Sequence, residues 1–400
     1  MTAMIAHVLR PARRIAVLTK HIRMSSTAAE EPDVILQKHD SKGIITLNRP
    51  KALNAFNLSM IRKIYPQLKK WEEDQHTTMV IIKGAGGKAF CAGGDIRHVT
   101  DEGRKGDMSH GEVFFKEEYI LNNAIGTTPI PWIAFIDGIT MGGGVGLSVH
   151  GQFRVATEKT LFAMPECAIG AASTGVSCFL PKLHFGLFPD VGGGYFLPRM
   201  GGTLGTYLAL TGYRLKGRDV LKSGVATHFV HSEKLGELEK ALLDLPNPKP
   251  KDIAKVLQNF QDQSPQDKDK PFSLQSNREQ IEKTFSHATV EEIIEALKKE
   301  GSEWAQKQVA TLNKMSPTSM KVTLRQLQEG AKLSLQDDLQ MEYRLTQRCM
   351  LDKDFYEGVR AVIIDKDQNP KWSPATLAEV TQEKLDWYFS RLPEEMELKL

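Results

Sequence analysis

The chain has 400 residues, enough for one large domain or two smaller ones, and its 41% hydrophobic and 25% charged content is ordinary for a globular protein. A formal net charge of +3, without a basic block interleaved with aromatic residues, argues against a nucleic-acid partner. No apolar run approaches 18 residues, so we expect no membrane span. Widely spaced cysteines give no zinc or disulfide pattern and suggest reduced thiols: Cys91, Cys167, Cys178 and Cys349.

The first thirty residues differ from the rest of the chain. Basic residues alternate with apolar ones there, and no acidic residue appears before Glu30. This composition is typical of a mitochondrial transit peptide and predicts import into the matrix, with a disordered tail as the alternative. The basic residues are Arg10, Arg13, Arg14, Lys20 and Arg23.

From residue 34 to about 235, short β-branched runs alternate with segments of helical periodicity. This alternation predicts an α/β layer built from βαβ units. The first two strands flank a hairpin signal at 40–43. The predicted strands are 34–36, 44–47, 80–82, 132–136 and 153–156, and the predicted helices are 59–74, 114–123 and 147–150.

Beyond residue 235 the strand signals stop. A capping box at Thr289 opens a predicted helix over 291–299. Further helices are predicted over 319–327 and 335–345, with polar, proline-containing linkers at 247–250 and 261–270. We therefore predict a transit peptide over 1–30, an α/β core over 31–235 and a helical C-terminal region over 236–400.

Glycine-rich loops are the first candidates for a functional site. Gly142–Gly146 follows a strand, but Val149 stands where the dinucleotide fingerprint needs its third glycine, and there is no P-loop lysine motif or nucleophile elbow. Two strand-to-loop turns remain, 90–96 and 139–144. Their small residues let a ligand approach backbone N–H groups, as in an oxyanion hole; plain tight turns are the alternative.

Four strings in these regions carry a family resemblance: LNRPKALNA at 47–55, GKAFCAGGDI at 87–96, GITMGGG at 138–144 and FAMPE at 162–166. Their order and spacing resemble the crotonase (enoyl-CoA hydratase/isomerase) superfamily, and a C-terminal string over 354–372 resembles the end of the same domain. The resemblance implies a crotonase-like α/β fold of repeated ββα units with C-terminal helices. It also implies that the N–H groups of Gly94 and Gly143 bind a thioester oxygen.

Acidic residues distinguish the branches of this superfamily. The hydratases place two glutamates around the substrate; the second matches Glu166, but the first falls on Gly146, which has no side chain. The strings FFKEEY, MGGGVGLS, PECAIG and LFPDVGGGYF instead resemble the 3-hydroxyisobutyryl-CoA hydrolase branch, which belongs to mitochondrial valine breakdown. That resemblance implies that Glu118, Gly143, Glu166 and Asp190 line the substrate.

Without the resemblance, each acid has a simpler interpretation. Glu118 fits a solvated helix face, Glu166 fits the cap of a turn after Pro165, and Asp190 fits an Asx-turn. None of the eleven histidines shows paired spacing.

The implied reaction is hydrolysis of an acyl-CoA thioester, extending to 3-hydroxypropionyl-CoA as a possible second substrate. Glu166 would attack the carbonyl carbon or activate water, and the sequence leaves both routes open. CoA would lie along Lys51, Ala52, Leu53 and Ala92. We expect no metal and no cofactor beyond the CoA of the substrate, and the sequence carries no signal for an oligomeric state. The rival functions are a hydratase or isomerase and a non-catalytic relative.

One departure from the family makes the non-catalytic alternative worth keeping. PECAIG normally runs directly into LFPD, but residues 171–186 intervene here, placed equally well one residue earlier. The insert contains apolar residues that a solvated loop would not favour. We expect it to bulge outward and to leave Asp190 near Glu166; a displaced Asp190 is the competing outcome.

Overall fold

The computed structural model describes residues 31–164 and 186–400. Residues Val34–Leu400 pack as one compact unit. In the part of the chain that the model describes, no helix is long and apolar enough to cross a bilayer.

The strands form two sheets. The larger sheet has the order β1-β2-β3-β5-β7-β10, with β1 and β2 antiparallel and the other neighbours parallel. The smaller has the order β4-β6-β8-β9. The strands are β1 Val34–His39, β2 Lys42–Leu47, β3 Met79–Gly84, β4 Ala89–Cys91, β5 Trp132–Ile136, β6 Ile139–Met141, β7 Phe153–Ala156, β8 Leu161–Ala163, β9 Leu215–Lys216 and β10 His228–Phe229.

Some helices pack on the two faces of the larger sheet, and the others pack on one another. They are α1 Leu58–Glu73, α2 Ile96–Arg104, α3 Ser109–Thr127, α4 Gly143–Gly146, α5 Gly193–Phe196, α6 Leu204–Thr211, α7 Arg218–Lys222, α8 Leu235–Leu243, α9 Pro250–Asp262, α10 Arg278–Phe285, α11 Val290–Glu300, α12 Glu303–Leu312, α13 Pro317–Gly330, α14 Leu335–Leu351, α15 Lys353–Val359 and α16 Gln382–Phe389. Short 3-10 or π turns occupy 50–52, 197–199, 232–234, 275–277, 360–364 and 377–379.

The sequence of β3 explains why both faces are covered. Successive side chains of a strand point to opposite faces, and every residue from Met79 to Ile82 is apolar. Val80 and Ile82 join the main core, whereas Met79 and Ile81 pack in a second cluster with residues of α8 and α9. A strand that is buried on both sides needs helices on both sides.

The α/β class, the first hairpin and the C-terminal helices are confirmed, and the Thr289 capping box opens α11 as predicted. The helix predicted at 147–150 is wrong, because the turn of helix lies at Gly143–Gly146. Close packing overrides the low helix propensity of glycine there: a Cβ at Gly144 would lie 2.4 Å from the Cys91 carbonyl oxygen. The linkers are also shorter than predicted, since Pro250 begins α9 and the helix extends to Asp262.

Candidate active site

The two glycines predicted to bind the thioester oxygen both pack against Phe56. The Phe56 N–H donates to the Gly93 carbonyl (2.8 Å), and the Asp95 N–H donates to the Phe56 carbonyl (2.8 Å). This parallel bridge holds Gly94 without using its N–H. A Cβ at Gly143 would lie 3.4 Å from the Phe56 Cβ. Gly143 is the first residue of α4, and the first N–H groups of a helix have no partner within it.

Helix α3 forms one wall beside these glycines. Phe114 and Glu118 are one turn apart, so their side chains share a helix face. The Phe114 ring lies 3.2 Å from the position of a Cβ at Gly94, and Glu118 Oε1 lies 2.7 Å from that of a Cβ at Gly143. Glu118 is only 2% exposed, so its interpretation as a solvated surface residue is wrong. One helix face therefore reaches both glycine turns.

One turn further along α3, Asn122 closes the space beside Gly146. A Cβ at Gly146 would lie 2.7 Å from Asn122 Nδ2 and 2.8 Å from the Val191 Cβ. A glutamate side chain extends well beyond its Cβ, so it has no room there. The position that carries the first hydratase glutamate is thus filled by neighbouring side chains.

Asp190 lies against the same helix through Tyr119. The Tyr119 hydroxyl donates a hydrogen bond of 3.1 Å to Asp190 Oδ2, and Asp190 is 7% exposed. Burial raises the pKa of Asp190 to about 7, opposed by the hydrogen bond from Tyr119. Glu118 and Tyr119 are consecutive, so α3 contacts Gly143 and Asp190 through adjacent side chains that point in different directions.

The residues predicted to contact CoA also come together. Lys51 and Ala52 lie in the 3-10 turn 50–52, and Leu53 follows in a left-handed conformation (φ 52°). The Ala92 N–H donates to the Leu53 carbonyl (3.1 Å). Buried Asn54 fixes this turn by donating to the carbonyls of residues 85 and 89 (2.9 and 2.8 Å). The turn is therefore rigidly joined to the loop that carries Gly94.

Glu166 lies outside the described residues, as does the predicted insert up to residue 185. The chain re-enters the described part at Gly186, where φ is +61° and a Cβ would lie 2.4 Å from the Asp354 carbonyl oxygen. Leu187 and Phe188 are then fully buried in the main core. The separation of Glu166 and Asp190 stays a prediction.

A family model described as enoyl-CoA hydratase/isomerase matches residues 42–185 and 173–389. The chain belongs to this family. Solved structures agree: a carnitinyl-CoA dehydratase from Mycobacterium thermoresistibile has a TM-score of 0.80 and 34% identity, covering 92% of this chain and 99% of its own. An enoyl-CoA hydratase from Rhodobacter sphaeroides has a TM-score of 0.78 and 33% identity, covering 92% of this chain and 100% of its own. The predicted crotonase-like fold is confirmed.

Curated members of the family are more similar to this chain than these structures. The protein named "3-hydroxyisobutyryl-CoA hydrolase, mitochondrial" from Xenopus laevis is 60% identical to this chain, over 95% of this chain and 94% of the relative. The protein of that name from Danio rerio is 59% identical, over 99% of this chain and 98% of the relative. The one from Homo sapiens is 58% identical, over 95% of this chain and 94% of the relative.

The sequence interpretation missed two residues that hold the loop around Asp190. Tyr119 directly follows two glutamates and fixes the Asp190 carboxylate. Glu342 accepts hydrogen bonds from the N–H groups of Gly192 (2.7 Å) and Gly194 (2.9 Å). A signal for Glu342 was present, because helical spacing puts it on the apolar face of α14 with buried Leu339 and Leu345.

Among residues 31–164 and 186–400, no group of three or more His, Cys, Asp or Glu side chains is arranged to hold a metal ion.

Proposed function

We propose that this family member hydrolyses the thioester of 3-hydroxyisobutyryl-CoA, giving the free acid and CoA. The proposal is supported by the relatives that carry this activity in their names and match at 58–60% identity over nearly their whole length. 3-Hydroxypropionyl-CoA, which has the same hydroxyl position without the methyl branch, is the second substrate we infer. The first of these reactions would act in the degradation of valine.

The observation that carries the choice of reaction is the packing at Gly146. Addition of water to an enoyl-CoA by the two-glutamate route needs a carboxylate from this position. Asn122 and Val191 occupy the space that such a side chain would need. The remaining acids, Glu118 and Asp190, approach from α3 and from the loop after the insert, which suits recognition of a hydroxylated acyl chain.

In this proposal the thioester oxygen accepts hydrogen bonds from the N–H groups of Gly94 and Gly143. These donors stabilise negative charge as the carbonyl carbon becomes tetrahedral. Glu166 either attacks that carbon or takes a proton from the attacking water. The C–S bond then breaks, and the CoA thiolate leaves and is protonated. Where Glu166 is the nucleophile, this leaves an anhydride with Glu166, and attack by water on the anhydride releases the acid and restores the carboxylate. Neither route needs a metal or a cofactor other than the CoA of the substrate.

Glu118 and Asp190 supply the selectivity for the acyl chain. Both are buried, and buried polar groups strongly reject an analogue that lacks the matching hydroxyl. CoA itself would run along Lys51, Ala52, Leu53 and Ala92, which the Ala92–Leu53 hydrogen bond holds together.

We extend the proposal to the location of the enzyme. The relatives carry the word mitochondrial in their names, and the basic, acid-free residues 1–30 have the composition of a transit peptide. The reaction would then take place in the mitochondrial matrix.

Two assays on the same protein test the reaction. We expect release of free thiol from 3-hydroxyisobutyryl-CoA and no loss of the enoyl absorbance of crotonyl-CoA. Hydration of crotonyl-CoA without thiol release would support the hydratase alternative. Activity in neither assay would support the non-catalytic alternative.

A further inference from the structure

The loop that carries Asp190 rests on buried polar side chains of α13 and α14. We call residues 189–194 the acid loop. Glu342 of α14 accepts from the Gly192 N–H with Oε2 (2.7 Å) and from the Gly194 N–H with Oε1 (2.9 Å). Both hydrogen bonds fix the backbone just after Asp190.

Gln326 of α13 fixes the backbone just before Asp190. Its Nε2 donates to the Pro189 carbonyl (2.7 Å) and to Glu342 Oε1 (2.8 Å). Tyr119 holds the Asp190 carboxylate itself. Asp190 is thus bracketed by one connected network, in which Glu342 touches the largest number of loop atoms.

The acid loop has a conformation that needs such support. Val191 has φ of +52°, which is unfavourable for a β-branched residue and persists only where the surroundings impose it. The neutral imidazole of His150, whose pKa burial lowers to about 4, donates to the Val191 carbonyl (2.7 Å). Strain of this kind immediately beside a candidate active-site acid points to a functional constraint.

The support itself is costly to build. Glu342 and Asp338, one turn apart on α14, are both fully buried, and burying two acids near Asp190 is unfavourable. A Cβ at Gly194 would lie 2.3 Å from Asp338 Oδ1, so glycine is required to admit this acid. A loop that served only as a connection could be held by apolar packing, without the free-energy penalty of burying two acids.

We propose that Glu342, assisted by Gln326, is a positioning residue that acts on the reaction through Asp190. The inference rests on the proposed role of Asp190 in binding the substrate hydroxyl. Burial and the neighbouring Asp338 raise the pKa of Glu342. In either protonation state its two oxygens face two backbone N–H groups, which a glutamine cannot match because it has one acceptor.

The test uses Glu342→Gln in the full-length enzyme, alone and combined with Asp190→Asn. We expect kcat/KM for 3-hydroxyisobutyryl-CoA to fall about 10- to 100-fold in Glu342→Gln, as for a small misplacement of a site group. The inhibition constant of isobutyryl-CoA, which lacks the hydroxyl, should stay unchanged. In the Asp190→Asn background, Glu342→Gln should cost almost nothing further. Asp337→Asn, an exposed acid on α14, is the matched control and should resemble the wild type.

Three outcomes would overturn the inference: full additivity with Asp190→Asn, equal weakening of isobutyryl-CoA binding, or a wild-type rate for Glu342→Gln. If Asp190→Asn itself keeps the wild-type rate, the assigned role of Asp190 fails instead, which separates the two proposals. Should Glu342→Gln not fold, Gln326→Leu removes the hydrogen bonds to the Pro189 carbonyl and to Glu342 Oε1 but keeps the two Glu342 contacts to the loop N–H groups. We expect Gln326→Leu to lower kcat/KM less than Glu342→Gln does, and to cause almost no further loss in the Asp190→Asn background. Additive losses for Gln326→Leu and Asp190→Asn would overturn the inference as well.

Discussion

The turns that carry Gly94 and Gly143 are held mainly by backbone hydrogen bonds and apolar packing around Phe56, with Asn54 fixing the neighbouring turn, whereas the acid loop is held mainly by buried polar side chains. Phe56 provides the contacts on the first side, within about 90 residues of both glycines. Glu342 provides them on the second side, about 150 residues from Gly192. The oxyanion side therefore depends on close packing between residues that are fairly near in sequence. The acid side depends on polar contacts between residues that are far apart in sequence.

This difference predicts how each side fails. Added atoms should disturb the oxyanion side, because its glycines have neighbours at contact distance. Changes of charge or of hydrogen-bonding capacity should disturb the acid side, because its groups are buried and coupled. The variants below test this contrast.

Glu166→Gln should have the largest effect, because the Glu166 carboxylate would act on the thioester carbonyl carbon itself or on the water that attacks it. We expect kcat to fall by about 10²–10⁴-fold, the range for general acid–base catalysis, with CoA-ester binding nearly unchanged. Single-turnover thiol release and binding of a non-hydrolysed CoA ester measure the two quantities. Glu117→Gln, on the Arg62-paired side of α3, is the matched control. An unchanged kcat in Glu166→Gln would remove Glu166 from the mechanism.

Gly143→Ala tests the steric character of the oxyanion side. The new Cβ would lie 2.7 Å from Glu118 Oε1, so either the N–H or the carboxylate must move. Loss of one oxyanion donor costs about 10²–10³ in rate, and we expect a loss of about 10²-fold with the fold retained. Steady-state thiol release and the thermal midpoint measure rate and fold.

Gly236→Ala is the control for this variant, since nothing lies within 4 Å of a Cβ at that exposed position of α8. It should leave the rate unchanged. A Gly143→Ala enzyme as active as Gly236→Ala would place the oxyanion donors elsewhere.

The same contrast explains what could be predicted from the sequence. Strand alternation and capping gave the α/β class, the first hairpin and the Thr289 helix start, because these depend on neighbouring residues. The helical turn at Gly143–Gly146 was predicted four residues too late, because its position depends on the close approach to Cys91. Local propensity carries no information on such a contact.

The candidate site shows the same division. The family strings locate Gly94, Gly143, Glu118 and Asp190, and the structure places both glycines and Asp190 beside side chains of α3. The role of Glu342 depends on pairing with a loop far away in the chain. The sequence singles out Glu342 only as an acidic residue on an apolar helix face. That pattern does not predict which part of the chain Glu342 contacts.

Asp190→Asn tests the electrostatic character of the acid side through stability. The raised pKa, about 7 against an ordinary 3.8, means that ionisation is less favourable in the folded state. The stability that the neutral acid contributes is complete below pH 4 and is lost as pH rises towards 7. Asparagine stays neutral, so the thermal midpoint of Asp190→Asn should exceed that of the wild type at pH 8 and match it at pH 4.

Scanning calorimetry at both pH values measures this difference. Asp337→Asn removes an exposed carboxylate from α14 and should follow the wild-type pH dependence. A midpoint for Asp190→Asn below the wild type at pH 8 would contradict the claim that the buried charge is unfavourable.

Deleting 171–186 should have the smallest effect, because we expect the insert to bulge outward from the site. Deleting 170–185 gives the same product, with one glycine joining Ile169 to Leu187. That glycine can occupy the position packed against Asp354, and Leu187 and Phe188 keep their buried sites. Loop length costs only about 0.6 kcal/mol per doubling, so the fold should persist. We expect kcat/KM for thiol release within about threefold of the wild type, a change of under about 1 kcal/mol. A large gain would show that the insert disables the site, and a large loss would show that its apolar residues support the acid loop.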